Sequence, residues 1–217
     1  FYPRKDTGLD KDWIVQKNKK LKTFGLKVMM FIPGDEKKRG PVFEGLPTVE
    51  SHRNQSVFTS FVECLEDLFA DEVLIGDIKA SHKELAKIKD YIDNGVITLE
   101  VKHLSDLDYI DRCLSNRKDV AMNVVRCVES RTILKKQDIV PYNTVQREIG
   151  AITMDNERYG RYQGELQIVK QPLEADERVN VIGEVCETSK GLLQYIKDGT
   201  KFKFEGVDKD ENNHVSL

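Results

Sequence analysis

Glu44, Glu50 and Asp77 are the carboxylates whose positions could do chemistry. Glu44 and Glu50 fall in Pro33–Ser56, a stretch with glycines, prolines and no clear period. It contains Glu44-Gly45-Leu46-Pro47-Thr48, then Glu50, His52 and Arg53. Asp77 follows directly on the short apolar run Glu72-Val73-Leu74-Ile75-Gly76. In parallel α/β folds, ligands bind in the loops after the carboxyl ends of the strands. Two carboxylates at neighbouring strand ends could flank a scissile bond, one as acid and the other as nucleophile or base. Asp77 has a plainer reading as an acceptor for nearby backbone amides. His52, a loop histidine beside Arg53, reads as a solvated surface residue.

A second polar concentration runs from Arg147 to Gln167 and holds Asp155, Asn156, Tyr159, Arg161 and Glu165. Interleaved arginine and tyrosine suit stacked nucleobases. They equally suit an anionic sugar, because a guanidinium fork matches phosphate in a bidentate way. A hairpin with solvated polar residues at its turn explains them too. Ser130-Arg131 could add a further anion contact. The sequence contains no Gly-rich phosphate loop and no nucleophile elbow. Cys64, Cys113, Cys127 and Cys186 stand far apart, as do His52, His82, His103 and His214. Without close ligand pairs they predict no structural metal, and the cysteines read as buried thiols of a reducing compartment.

The elements that would position these groups change character along the chain. Residues 10–24 place Trp13, Ile14, Leu21 and Phe24 at roughly helical spacing, with Gly25 as a stop. Leu26 to Ile32 is a near-continuous apolar run closed by Pro33-Gly34, as in a strand buried on both faces. Val57, Phe58, Phe61, Val62, Leu65, Leu68 and Phe69 form one helical face, and the run 72–76 a second buried strand. Ser81-x-x-Glu84 predicts a capping box opening a helix with Leu85, Ile88 and Ile92 on one side. Helix and strand alternate, so the two strands should be parallel. Two strands do not make a stable parallel sheet, and the chain begins Phe1-Tyr2-Pro3 without a methionine. It therefore reads as a piece of something longer.

From about Gly95 the period becomes two. Val96–Val101 alternates, and a short helical stretch is expected around Leu107, Ile110 and Leu114. Strand-like runs follow at Val120–Val128, Ile149–Met154, Glu165–Val169, Val179–Val185 and Lys201–Phe204, suggesting a small antiparallel barrel or sandwich. The 217 residues carry 34 basic and 37 acidic side chains for a net charge of -3, which argues against a polybasic nucleic-acid or membrane-surface protein. No apolar stretch approaches the roughly 18 residues needed to span a bilayer.

An ordered set of motifs makes the chain recognisable. It comprises Phe1-Tyr2-Pro3, Thr7-Gly8-Leu9, Phe24-Gly25-Leu26, Glu44-Gly45-Leu46-Pro47-Thr48-Val49-Glu50-x-His52-Arg53 and Ile75-Gly76-Asp77. It continues through Gly150–Asn156, Tyr159-Gly160-Arg161-Tyr162-x-Gly164–Ile168, Arg178–Gly183 and Lys201–Phe204. Together these resemble the bacterial 6-phospho-N-acetylmuramidase family, whose members often carry the label "outer surface protein". The resemblance implies a TIM (β/α)8 barrel followed by a cyclophilin-like small β-barrel domain. Residues 1–97 would be the C-terminal part of the TIM barrel, its last two strands and three helices. Residues 98–204 would be the cyclophilin-like domain and 205–217 a mobile tail.

The implied activity is hydrolysis of the β-1,4 bond of N-acetylmuramic acid 6-phosphate–N-acetylglucosamine during cytoplasmic cell-wall recycling. No organic cofactor or metal is expected. The partner is the phosphorylated amino-sugar disaccharide, with no nucleic acid or membrane and with a homodimer left open. The resemblance puts Glu44 and Asp77 at the active-site mouth, with Glu50 as a substitute for Glu44. Arg53, Arg131 and Arg147 become candidates for the 6-phosphate or lactyl carboxylate, and Tyr159, Arg161 and Glu165 for lining a cleft. His52, Asp155 and Asn156 complete the substrate-binding set. Two other readings stay open: a non-catalytic phosphosugar-binding β domain on a barrel remnant, and a single-strand nucleic-acid binder.

Overall fold

The structure, a computed structural model, describes residues 2–104, 109–134 and 138–207. It divides into two units, one ending at Asp93 and the other starting at Asn94. In the first unit, helix α1 (Lys11–Thr23) opens on Asp10, whose carboxylate accepts the Trp13 amide at 2.9 Å. It closes on Gly25, whose positive φ lets its amide turn back to the Lys22 carbonyl. Only Ile14 and Asn18 of α1 are buried. Trp13, Leu21 and Phe24, expected on the packed face, are exposed. Asn18 instead fastens the helix by donating to the Leu68 carbonyl at 2.7 Å.

Strands β1 (Met29–Ile32) and β2 (Glu72–Ile75) pair in parallel, with Met29 opposite Glu72 and Ile32 opposite Ile75. Helix α2 (Val57–Glu66) connects them and is buried from Val57 through Cys64. Full burial was expected of both strands. Met30 and Ile32 meet it, whereas Leu74 in β2 stays open to solvent, since the pair has no third strand among the described residues. Helix α3 (His82–Asn94) begins with half of the expected capping box. Ser81 Oγ accepts the Glu84 amide at 3.2 Å, but the Glu84 carboxylate reaches across to the Phe58 amide at the start of α2, 2.7 Å away.

The second unit is a seven-stranded sheet. Its strands are β3 (Val96–Lys102), β4 (Leu114–Ser115), β5 (Val124–Arg126), β6 (Ala151–Asp155), β7 (Leu166–Val169), β8 (Val179–Val185) and β9 (Lys201–Gly206). The order is β4-β9-β3-β8-β6-β7-β5. A wholly antiparallel sheet was expected, and one pair departs from it. Strand β9 runs parallel to β3, from Val96 opposite Lys201 to Val101 opposite Gly206. The short helix α4 (Glu187–Lys190) and a 3-10 turn at Gly191–Tyr195 lie between β8 and β9 and carry the chain over to make that parallel return.

The two outer strands are bridged by Asn116 opposite Cys127. Flanking amides extend the bridge, Arg117 to the Arg126 carbonyl at 3.0 Å and Val128 to the Ser115 carbonyl at 2.9 Å, so the sheet closes on itself. Leu99, Leu114, Ile152, Leu166, Phe202 and Phe204 are fully buried in this unit. Leu114, expected in a helix, lies in β4, Ile110 bridges to Phe204, and Leu107 lies outside the described residues. Of Val120–Val128 only Val124–Arg126 forms a strand, because Val120, Met122 and Val128 are exposed and have no face to bury. Strand β9 continues through Glu205 and Gly206 on ladder bonds to β3, and 208–217 lie outside the described residues.

Candidate functional site

Asp77 sits at the carboxyl end of β2, its side chain fully buried. One oxygen accepts the Gly34 amide at 3.0 Å and the other the Arg39 amide at 2.9 Å. Those amides belong to the loop after β1, so Asp77 ties the two strand ends together and fixes the plane of its own carboxyl group. Lys38 lies 3.9 Å away and also bonds the Gly34 carbonyl. Gly45, with φ +90, lies directly beside this group, and a Cβ there would stand 3.5 Å from Asp77 Oδ2. Gly76 has no room for a side chain, since a Cβ would collide with the Leu46 carbonyl oxygen. The segment Glu44-Gly45-Leu46 is thereby laid against the strand end that carries Asp77.

Glu44 is exposed, and its carboxylate accepts the Lys5 amide at 3.0 Å. Glu50 accepts the amides of Asp6 and Gly8 at 2.9 and 2.6 Å. Arg53 grips Glu50 through two bonds, 2.7 and 3.0 Å, and holds its carboxyl down at about 2. The rest of the guanidinium donates to the carbonyls of Glu44, Gly45, Tyr2 and Arg4. Arg53 is thus a clasp between residues 2–8 and the Glu44–Gly45 loop.

His52 is completely buried rather than solvated, with Nε2 3.3 Å from Glu63. Burial works against ionisation of Glu63, but His52 and Lys11 outweigh it and hold the carboxyl at about 2. Sequence reasoning missed Glu63 and Lys38. A carboxylate inside the apolar run of α2 was the available signal for Glu63. None marked Lys38.

In the second unit, Glu165 accepts from Arg126 at 2.6 Å and from Arg131 at 3.3 Å. Burial opposes its ionisation, yet the Arg126 bond keeps its carboxyl below the usual range. Arg131 also lies over the Tyr162 ring, 5.8 Å from its centroid, and Arg161 lies over the same ring at 4.9 Å. Asp155 is buried at the end of β6. Its burial first, and the Glu165 charge second, push its carboxyl up to about 7, against the pull of Arg131.

Three of the candidates are engaged elsewhere. Arg147 donates to the Glu174 carbonyl at 2.9 and 2.6 Å. Asn156 is buried and bonds the Glu177 carbonyl and Asn180. Tyr159 lies under Arg178 at 4.6 Å. Arg126, which sequence reasoning missed, is the nearest partner of Glu165. Among the described residues, no group of three or more His, Cys, Asp or Glu side chains could hold a metal ion.

Residues 1–90 match the family model described as 6-phospho-N-acetylmuramidase, N-terminal, and residues 97–205 match its C-terminal counterpart. Two solved structures are similar. A crystal structure of a conserved protein of unknown function from Enterococcus faecalis is 36% identical with a TM-score of 0.83, covering 96% of this chain and 57% of that one. A crystal structure of an uncharacterized B. cereus protein is 29% identical with a TM-score of 0.75, covering 96% of this chain and 61% of that one. The chain therefore spans less than two thirds of the length of either. No curated protein matches it. Its two units are matched in sequence order by the two halves of one family's description, and the chain belongs to the 6-phospho-N-acetylmuramidase family.

Proposed function

We propose that the protein containing this chain is a glycosidase that cleaves the β-1,4 bond between N-acetylmuramic acid 6-phosphate and N-acetylglucosamine in cytoplasmic cell-wall recycling. The observation that carries the reading is the ordered match of both halves to this one family. In it, β1, α2 and β2 are the end of a TIM barrel, and the closed seven-stranded sheet is the cyclophilin-like domain. The parallel pairing of β1 with β2 across α2 supports the first assignment. The bridge between the outer strands supports the second. Among the described residues no helix is long and apolar enough to cross a membrane.

Glycosidases of this kind work with two carboxyl groups on either side of the scissile bond. Glu44 and Asp77 take those places because Gly45 brings the Glu44 loop against the strand end carrying Asp77. Glu50 and Arg53 hold that loop, and their bonds to residues 2–8 make them positioning residues. The test is hydrolysis by the full-length protein of the disaccharide with and without its 6-phosphate. Cleavage restricted to the phosphorylated form is expected, falling at least a hundredfold in Glu44→Gln and in Asp77→Asn. Equal rates on both disaccharides, or near-normal turnover by both variants, would refute the assignment.

A further inference from the structure

The second unit contains a cavity of about 330 Å³ whose walls include Arg117, Lys118, Cys127, Ser130, Arg131 and Glu165. That volume lies at the lower end of the range of small-ligand sites, roughly 300–1,000 Å³. Arg131 is also a wall of a neighbouring cavity of about 460 Å³, shared with Arg161, Gln163 and Gly164. Its guanidinium therefore stands between two hollows. It is half exposed, and among the described residues its one hydrogen bond is the 3.3 Å contact with Glu165.

The charges around the first cavity do not cancel. Glu165 is already matched by Arg126 at 2.6 Å, and Asp119 by Arg117 through two bonds of 2.8 and 2.9 Å. Glu129 stands behind Cys127 and accepts the Ser115 amide at 2.8 Å. Lys118 is exposed on the cavity wall and has no ion-pair partner among the described residues. Arg117, Lys118, Arg126 and Arg131 thus outnumber Asp119, Glu129 and Glu165 by one, and Asp155 beside Glu165, its carboxyl pushed up to about 7, adds only part of a charge at neutral pH. Buried Cys127 offers no nucleophile, because burial pushes its thiol up to about 12. What remains is a pocket built to hold negative charge, with the Tyr162 ring beside Arg131 as an apolar surface.

We infer that this cavity is an anion-binding site of the second unit, taking the phosphomonoester or the carboxylate of a small saccharide through Arg131 and Lys118. The saccharide rests on the proposed function, while the anion site rests on the cavity alone. A planar guanidinium with free donors suits either group bidentately, and an ammonium adds a point charge.

The test is calorimetric titration of the chain with glucosamine 6-phosphate, N-acetylmuramic acid and N-acetylglucosamine, with inorganic phosphate as a fourth probe. Binding of the phosphosugar or of the carboxylate sugar is expected, and whichever binds identifies the anion. N-acetylglucosamine, which has neither group, should not bind. Arg131→Gln and Lys118→Gln should each weaken binding about tenfold, as loss of one charge-assisted contact does. Arg158→Gln, which removes a cation paired with Glu177 at 2.8 Å, should change nothing.

Equal binding of all three sugars, insensitivity to both cavity variants, or tighter binding of a single-stranded oligonucleotide would overturn the inference. Binding of inorganic phosphate without any sugar would overturn its saccharide half. None of these monosaccharides contains a glycosidic bond to cleave. Failure here therefore leaves the proposed hydrolysis standing, and failure of hydrolysis leaves this site standing.

Discussion

Replacing Asp155 by Asn should stabilise the second unit in neutral and alkaline solution. Asp155 is 4% exposed, and its carboxyl is pushed up to about 7 from an ordinary value of 3.8. Burial is the main cause and the adjacent Glu165 charge the second. The folded state thus keeps a proton that the unfolded chain releases near pH 4. The protonated group's advantage is complete below about pH 4, is lost as pH rises to about 7, and is constant beyond. At about 1.36 kcal/mol for each pH unit between the two values, the loss amounts to about 4 kcal/mol. Asn keeps the shape without ionising. At pH 8 the variant should gain up to about 4 kcal/mol, and at pH 4 the two proteins should be alike. Urea unfolding followed by far-UV circular dichroism at several pH values measures this, with the Asp155 carboxyl titrated directly by carbon NMR. A variant no more stable at pH 8, or one that keeps the full pH dependence between 4 and 7, would refute the reasoning.

Glu63 predicts the opposite sign. Its carboxyl is held at about 2, so its contribution is present above about pH 4.5 and lost as pH falls through 2. Glu63→Gln should cost about 3 kcal/mol at pH 7 and nothing further at pH 2, read from the fluorescence of Trp13, the one tryptophan. Gly76→Ala should destabilise the first unit by about 2 kcal/mol, because its methyl would stand 2.9 Å from Leu46 Cβ. Differential scanning calorimetry gives the value, and an unshifted transition would remove the close approach. Arg53→Lys loses the fork that joins Glu50 to four carbonyls. Limited trypsinolysis should then cut at Arg4 and Lys5 about tenfold faster, following a loss of about 1.4 kcal/mol in the contacts that hold residues 2–8.

What the sequence showed was local. The Asp10 cap and Gly25 stop of α1 were readable because capping is decided within a few residues. Val179–Val185 was readable end to end because both faces of β8 meet packed neighbours. Partner choice was not readable. Arg126 finds Glu165 across 39 positions, and His52 is buried beside Glu63 of α2 rather than exposed. Glu84 matched its local motif, yet its carboxylate went to the amide of Phe58, 26 residues earlier. Asp77 shows the same split. Its strand-end position was evident, but the loop amides that fix its orientation come from Gly34 and Arg39, which no spacing rule connects to it.

The placement of β9 has a consequence for how the chain acquires its fold during synthesis. The last of the seven strands in sequence is seated between β4 and β3, both formed from residues translated far earlier. Until Lys201–Gly206 leaves the ribosome, β3 exposes a long unpaired edge and β4 has no ladder partner on that side. Closure of the sheet therefore waits on β9, and contacts of such large sequence separation form slowly. A nascent chain halted before Lys201 offers the edge of β3 to any extended segment nearby.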